Sequence, residues 1–160
     1  TGPESSGKTT LVNDVEKELD LFAVPEYARI FINRLDRDYI KSDLLDIAKG
    51  QLELERSISI KNQDILLCDT DLLTIKIWSE YKYGNCDQFI VDQLQQNLPM
   101  AYLLLSPEIP WEPDPQRENP LNRSALFDIY EQEIKNLEVP YEVISGNQEE
   151  RLIQFLQFIA

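Results

Sequence analysis

The stretch Gly2-Pro3-Glu4-Ser5-Ser6-Gly7-Lys8-Thr9 carries glycine, glycine, lysine and threonine at every fixed position of the pattern G-x-x-x-x-G-K-[ST]. A loop that wraps a phosphate with successive main-chain N–H groups needs small or absent side chains at its bend. Gly2, Ser5, Ser6 and Gly7 meet that need. An apolar recurrence at Leu11, Val12, Val15 and Leu19 predicts a helix from Lys8 to Leu19, with its positive dipole end aimed at the same anion. In that arrangement Lys8 adds a point charge at the β and γ phosphates, and the Thr9 hydroxyl ligates Mg²⁺. The expected nucleotide-binding run therefore comprises Gly2, Pro3, Glu4, Ser5, Ser6, Gly7, Lys8, Thr9 and Thr10.

Two further clusters carry carboxylates directly after short apolar runs. Glu26 lies in Pro25-Glu26-Tyr27-Ala28-Arg29, and Asp69 and Asp71 lie in Cys68-Asp69-Thr70-Asp71. Ligands of open α/β sheets bind outside the carboxyl ends of the strands, so both clusters are expected to face the γ-phosphate and an acceptor. An apolar strand followed by an acid such as Asp69 is also the pattern that holds Mg²⁺, directly or through water. Proton uptake from an acceptor hydroxyl falls to Glu26 or Asp69, which sequence does not separate. The competing readings are structural: Asp69 and Asp71 as caps of the helix that follows, and Arg29 as the ion-pair partner of Glu26 rather than a phosphate clamp.

Residues Pro107 to Pro120 hold five of the nine prolines and predict a loop. With Arg117 and Arg123 behind it, the segment at about 106–123 reads as a lid that delivers guanidinium groups and excludes water. Their alternative role is to balance Glu118 and Asp128. Trp111, Trp78 and Tyr27 have the rings to stack on a base, although packing is the more ordinary use of each.

These residues need elements to carry them. Short apolar runs at Leu21–Val24, Ile65–Cys68, Met100–Leu105 and Tyr141–Ile144 predict strands. Helical spacing predicts a long helix from Ile40 to about Ile60, then helices over Leu72–Tyr81, Gln88–Gln96, Leu121–Leu137 and Leu152–Ile159. Continuous apolar strands alternating with helices predict a parallel sheet covered on both faces, a three-layer α/β fold. The sequence opens at Thr1, directly before the motif, and a further strand is expected ahead of it.

Composition narrows the classes of function. Net charge is −14, which argues against an open nucleic-acid or anionic-membrane surface. No histidine occurs, so histidine-based catalysis and the usual zinc ligation are excluded, and two cysteines are too few for a disulfide scaffold. No apolar run approaches the ~20 residues of a membrane span, and none reads as a secretory leader. The expectation is one acidic cytoplasmic domain of 160 residues, acting on a small molecule, with a homo-oligomer left open. No guanine-reading Asn-Lys-x-Asp is found, and a mechanical ATPase usually needs a longer chain. A small-molecule kinase with a closing lid is the reading left by the residues.

Taken in order, GPESSGKTTLV, PEYAR, DLLDIAKGQ, LLCDTDLLTIKIW with YKYG, SPEIPW followed by two arginines, and ISGNQEERL resemble the ribosylnicotinamide kinase domain of bacterial multifunctional NAD-biosynthesis proteins. The likeness runs along essentially the whole chain. It implies the P-loop strand order 2-3-1-4-5, with the strand expected before Thr1 at the centre. It implies ATP and Mg²⁺ at Gly2 through Thr9, with Asp69 as a further metal ligand, and transfer of phosphate to the 5′-hydroxyl of nicotinamide riboside. Riboside contacts are implied for Glu26, Tyr27, Arg29, Asp69 and Asp71, lid roles for Arg117 and Arg123, and adenine binding for the turn Ser145-Gly146-Asn147. Gln51 is a candidate for the acceptor pocket, against the plainer reading of a solvent-facing glutamine. Two departures stand out. The lid reads Asp114-Pro115-Gln116-Arg117 where the family carries Asp-Gly-x-Arg, and the family's adenylyltransferase domain is absent from this sequence, so a stand-alone kinase is expected. A kinase of another nucleoside or small alcohol, and a non-catalytic ATP sensor, are the rival readings.

Overall fold

The computed structural model describes residues 1–59 and 65–160. They form two compact units, one of Thr1–Asp20 with Pro99–Ala160 and the other of Leu21–Leu98.

In the first unit, α1 (Lys8–Leu19) buries Leu11 and Val15 on one face. Strand β3 (Tyr102–Leu105) pairs in parallel with β4 (Tyr141–Ile144), Tyr102 opposite Tyr141 and Leu105 opposite Ile144. Thr1 continues this ladder on the other side of β3: its amino group donates to Leu103 O at 2.8 Å, and its carbonyl accepts from Leu105 N at 3.0 Å. Helices α6 (Arg123–Asn136) and α7 (Gln148–Ile159) complete the unit, with Tyr130 and Ile134 of α6 and Phe155 of α7 in its core.

The second unit holds β1 (Ala23–Val24), paired in parallel with β2 (Leu67–Cys68), and the helices α2 (Tyr27–Ile32), α3 (Lys41–Ser59), α4 (Leu72–Tyr83) and α5 (Gln88–Gln96). Its core is built on Leu44, Ile47, Ala48 and Leu52 of α3, Leu72, Leu73, Ile75 and Ile77 of α4, and Ile90 and Leu94 of α5.

The chain is therefore α/β with parallel strand pairing. With the strand expected before Thr1 counted as the first, β1–β2 and β3–β4 correspond to the pairs 2-3 and 4-5 of that order; the described strands form two separate pairs and do not assemble the five-strand order. Strand lengths depart from expectation. Phe22 is 74% exposed and Met100 83% exposed, so the front of each apolar run stays outside the ladder. Pro25 ends β1 because it has no N–H to extend the pairing. Helix α6 starts at Arg123 rather than Leu121, whose side chain is 94% exposed and adds nothing to the core. Helix α4 runs on to Tyr83, and α7 starts at Gln148 because Asn147 and Glu150 close a capping box there. Helix α2 was not expected: six residues with only Ala28 buried are too few to show a period. Ile60, the expected end of the long helix, lies outside the described residues. No helix among the described residues is long and apolar enough to cross a membrane.

Candidate functional site

The first unit carries the phosphate loop. Gly2 has φ +133° and Gly7 φ +84°, a region that side chains disfavour. A Cβ on Gly2 would lie 2.9 Å from Leu105 O, so the loop passes the end of β3 at a distance only glycine permits. Gly7 is the N-cap of α1 and supplies no side-chain cap, so the helix's positive end is left to another partner. Ser6 is fully buried, and its Oγ has no hydrogen-bond partner. A buried donor without a partner costs about 1–3 kcal/mol, and an anion in the loop would remove that cost. Lys8 Nζ donates to Gly2 O and Pro3 O, both at 2.8 Å, which holds its ammonium over the loop. Thr9 and Thr10 are exposed at the start of α1. These features fit a phosphate chain.

The proline-rich segment 106–122 forms no regular element and is tied to this loop. Glu4 Oε2 accepts from Glu118 N at 3.0 Å and Asn119 N at 2.9 Å, and Ser5 Oγ accepts from Glu112 N at 2.9 Å. Arg123 Nη1 donates to Ser5 O at 3.0 Å and Ile109 O at 2.8 Å, and its guanidinium lies 5.8 Å from the centre of the Trp111 ring. Arg117 donates to Glu112 O. Both expected lid arginines thus sit on the lid segment's own carbonyls and also reach Ser5 of the phosphate loop, Arg123 at its carbonyl and Arg117 at Oγ, 3.5 Å away. The side chains of Glu4 and Ser5 serve the lid.

The turn after β4 is densely bonded. Asn147 uses its side chain to cap α7, accepting from Glu150 N at 3.1 Å, while Gly146 N donates to the Glu108 carboxylate. The main-chain groups of the turn are engaged as well: Ser145 N and O with the Gln154 side chain, Asn147 N with Glu150 Oε2 and Gly146 O with Arg151.

In the second unit the acids converge at one sheet edge. Asp69 N donates to Val24 O at 3.0 Å, so the chain segments carrying Glu26 and Asp69 leave β1 and β2 side by side. Glu26 is the N-cap of α2 and Asp71 the N-cap of α4, and neither makes a side-chain capping bond. The capping alternative is thus not realised for Asp71. Arg29 Nε stands 3.9 Å from Glu26 Oε2, an exposed pair of small energetic weight.

Gln51 binds three segments together. It is 1% exposed; its Oε1 accepts from Tyr27 N at 2.9 Å, and its Nε2 donates to Thr70 O and Glu55 Oε1, both at 3.1 Å. The solvent-facing reading of this glutamine is wrong. A signal was present in the sequence: position 51 falls on the same helical stripe as Leu44, Ile47 and Ala48. Next to it in the chain, Gly50 makes room for Tyr27, whose ring would collide with a Cβ there. Trp78 packs edge-on against Tyr39 at 4.8 Å, a packing role.

Glu55 is a residue that sequence reasoning missed. Burial pushes its carboxyl up to about 7, opposed by the Gln51 hydrogen bond and reinforced by the Asp71 charge. A raised carboxyl contributes stability that is complete below its unfolded value of 4.5 and is lost as pH rises through about 7. Glu55→Gln keeps an acceptor for Gln51 and removes the titration. Urea unfolding is expected to show equal stability near pH 4 and a variant more stable by about 1–2 kcal/mol at pH 8, a figure reduced for partial solvent screening. An unchanged difference between the two pH values would contradict it. Burial also raises the Cys68 thiol, which keeps it neutral and unreactive.

Among the described residues no group of three or more acidic or thiol side chains forms a metal cage. A Mg²⁺ ion here would be held by nucleotide phosphates with one or two side chains. A model of the AAA domain family matches residues 1–151. No curated protein matches the chain.

Proposed function

Because the chain belongs to the AAA domain family, whose members bind nucleotides through a phosphate loop, we propose that it is an ATP-dependent small-molecule kinase acting on the 5′-hydroxyl of nicotinamide riboside. One observation carries the kinase reading: an arginine-bearing loop is hydrogen-bonded across the phosphate loop by Glu4, Ser5 and Arg123. Phosphoryl transfer requires such a cover, since water in the site would compete with the acceptor. The named acceptor rests on the motif resemblance.

In this reading the amides of Gly2 through Thr9 cradle the triphosphate, and Lys8 moves its ammonium from loop carbonyls to the β and γ phosphates. Thr9 and Asp69 are the residues that would hold Mg²⁺, whose charge would offset that of the phosphates. Glu26, Tyr27, Arg29, Asp69 and Asp71 orient the riboside. The acceptor oxygen gives its proton to Glu26 or Asp69 and forms the new O–P bond, while the bond from Pγ to the bridging oxygen breaks and ADP leaves. Arg117 and Arg123 exchange carbonyl partners for the phosphoryl oxygens.

An ADP-release assay on the full-length protein tests this, with nicotinamide riboside, uridine, cytidine and adenosine as acceptors. Nicotinamide riboside is expected to turn over fastest, with nicotinamide mononucleotide as product by mass. Faster turnover of an ordinary nucleoside would remove the named acceptor, and ADP release indifferent to every acceptor would remove the kinase.

A further inference from the structure

A buried cation of the first unit lies outside the phosphate motif. Arg151, on α7, is 3% exposed. Its Nη1 donates to Ser6 O at 2.5 Å, its Nε to Gly146 O at 2.7 Å and its Nη2 to Ser106 O at 3.0 Å. The same Nη2 stands 3.4 Å from Glu108 Oε1, and that carboxylate also accepts from Gly146 N.

Three carbonyls far apart in sequence thus share one planar guanidinium: the phosphate loop, the exit of β3 and the exit of β4. A fork with donors in three directions can do this; an ammonium on a flexible stem cannot. Removing a single arm leaves a buried carbonyl unpaired. The contact with the loop is close, since a Cβ on Gly7 would lie 3.3 Å from Arg151 Nη1.

We infer that Arg151 is a positioning residue of the nucleotide site, setting the phosphate loop and the Ser145–Asn147 turn in one fixed relation so that the triphosphate and the base are bound together. This rests on the reading that places adenine at that turn, and it does not depend on the acceptor.

Calorimetric titration of the full-length protein with ATP, GTP and inorganic tripolyphosphate tests it, with no acceptor present. Wild type is expected to bind ATP at least ~tenfold more tightly than tripolyphosphate, and to prefer it to GTP. Arg151→Lys keeps the charge and loses the fork. ATP affinity is expected to fall ~30-fold and tripolyphosphate affinity ~3-fold, with the preference over GTP reduced and the circular dichroism spectrum native. Equal losses for ATP and tripolyphosphate, or none, would overturn the inference. Should the variant fail to fold, hydrogen exchange on wild type decides: ATP must protect the Ser6–Gly7 and Gly146–Asn147 amides together, whereas protection of the loop alone refutes the coupling. A wild type blind to the base also refutes it, while a kinase reading that fails with every acceptor leaves these binding results standing.

Discussion

Lys8→Met is expected to weaken ATP binding about 100-fold and to remove measurable turnover. Two charge-assisted hydrogen bonds of about 1.5–3 kcal/mol each, less the cost of releasing the bonds Lys8 already makes, leave roughly 3 kcal/mol, which corresponds to about 100-fold. Those existing bonds, to Gly2 O and Pro3 O at 2.8 Å, mean that the ammonium also braces the loop. Methionine keeps the length of the stem and removes only the charge. Thermal unfolding should therefore shift little, because the carbonyls it releases lie at a partly exposed site. Calorimetry with ATP is the measurement, and affinity within a factor of about three of wild type would show that the loop does not hold a triphosphate.

The second large effect separates an enzyme from a sensor. Asp69→Asn and Glu26→Gln are expected to leave ATP affinity nearly intact while one of them lowers turnover by ~10²–10⁴-fold, the usual contribution of a positioned general base. Both substitutions keep size and hydrogen-bonding shape. The Glu26 side chain makes no capping bond to α2, and Asp69 donates its main-chain N–H to Val24 O, a bond the substitution does not touch. The variant that loses turnover identifies the base. If both turn over as wild type does, the acceptor chemistry assigned to this sheet edge is wrong, whatever happens at Lys8.

Much of this molecule was legible before its structure. Helix α1 spans Lys8–Leu19 and α5 spans Gln88–Gln96 as their periodicity predicts, and β4 covers Tyr141–Ile144. Each has a strong local signal that tertiary packing had no reason to override. The strands β1 and β2 were overestimated because an apolar run reports what prefers burial, not which of its amides finds a partner. Helix α2 was invisible because a single short turn is held by its surroundings rather than by its own pattern.

The candidate site divides along the same line. Glycines at 2 and 7, lysine at 8 and threonine at 9 define a phosphate cradle by type and spacing, since the loop is continuous in sequence and its backbone needs are local. The roles of Gln51, Glu55 and Arg151 are not local. Each depends on which segments the fold brings beside a helix face: Tyr27 and Thr70 for Gln51, partial burial near Asp71 for Glu55, and three strand and loop exits for Arg151. A polar residue on an apolar stripe announces that it will be buried and must find partners, but only the folded chain decides which ones. Hydrogen-bond need is written in composition, and its satisfaction is a matter of three-dimensional neighbourhood.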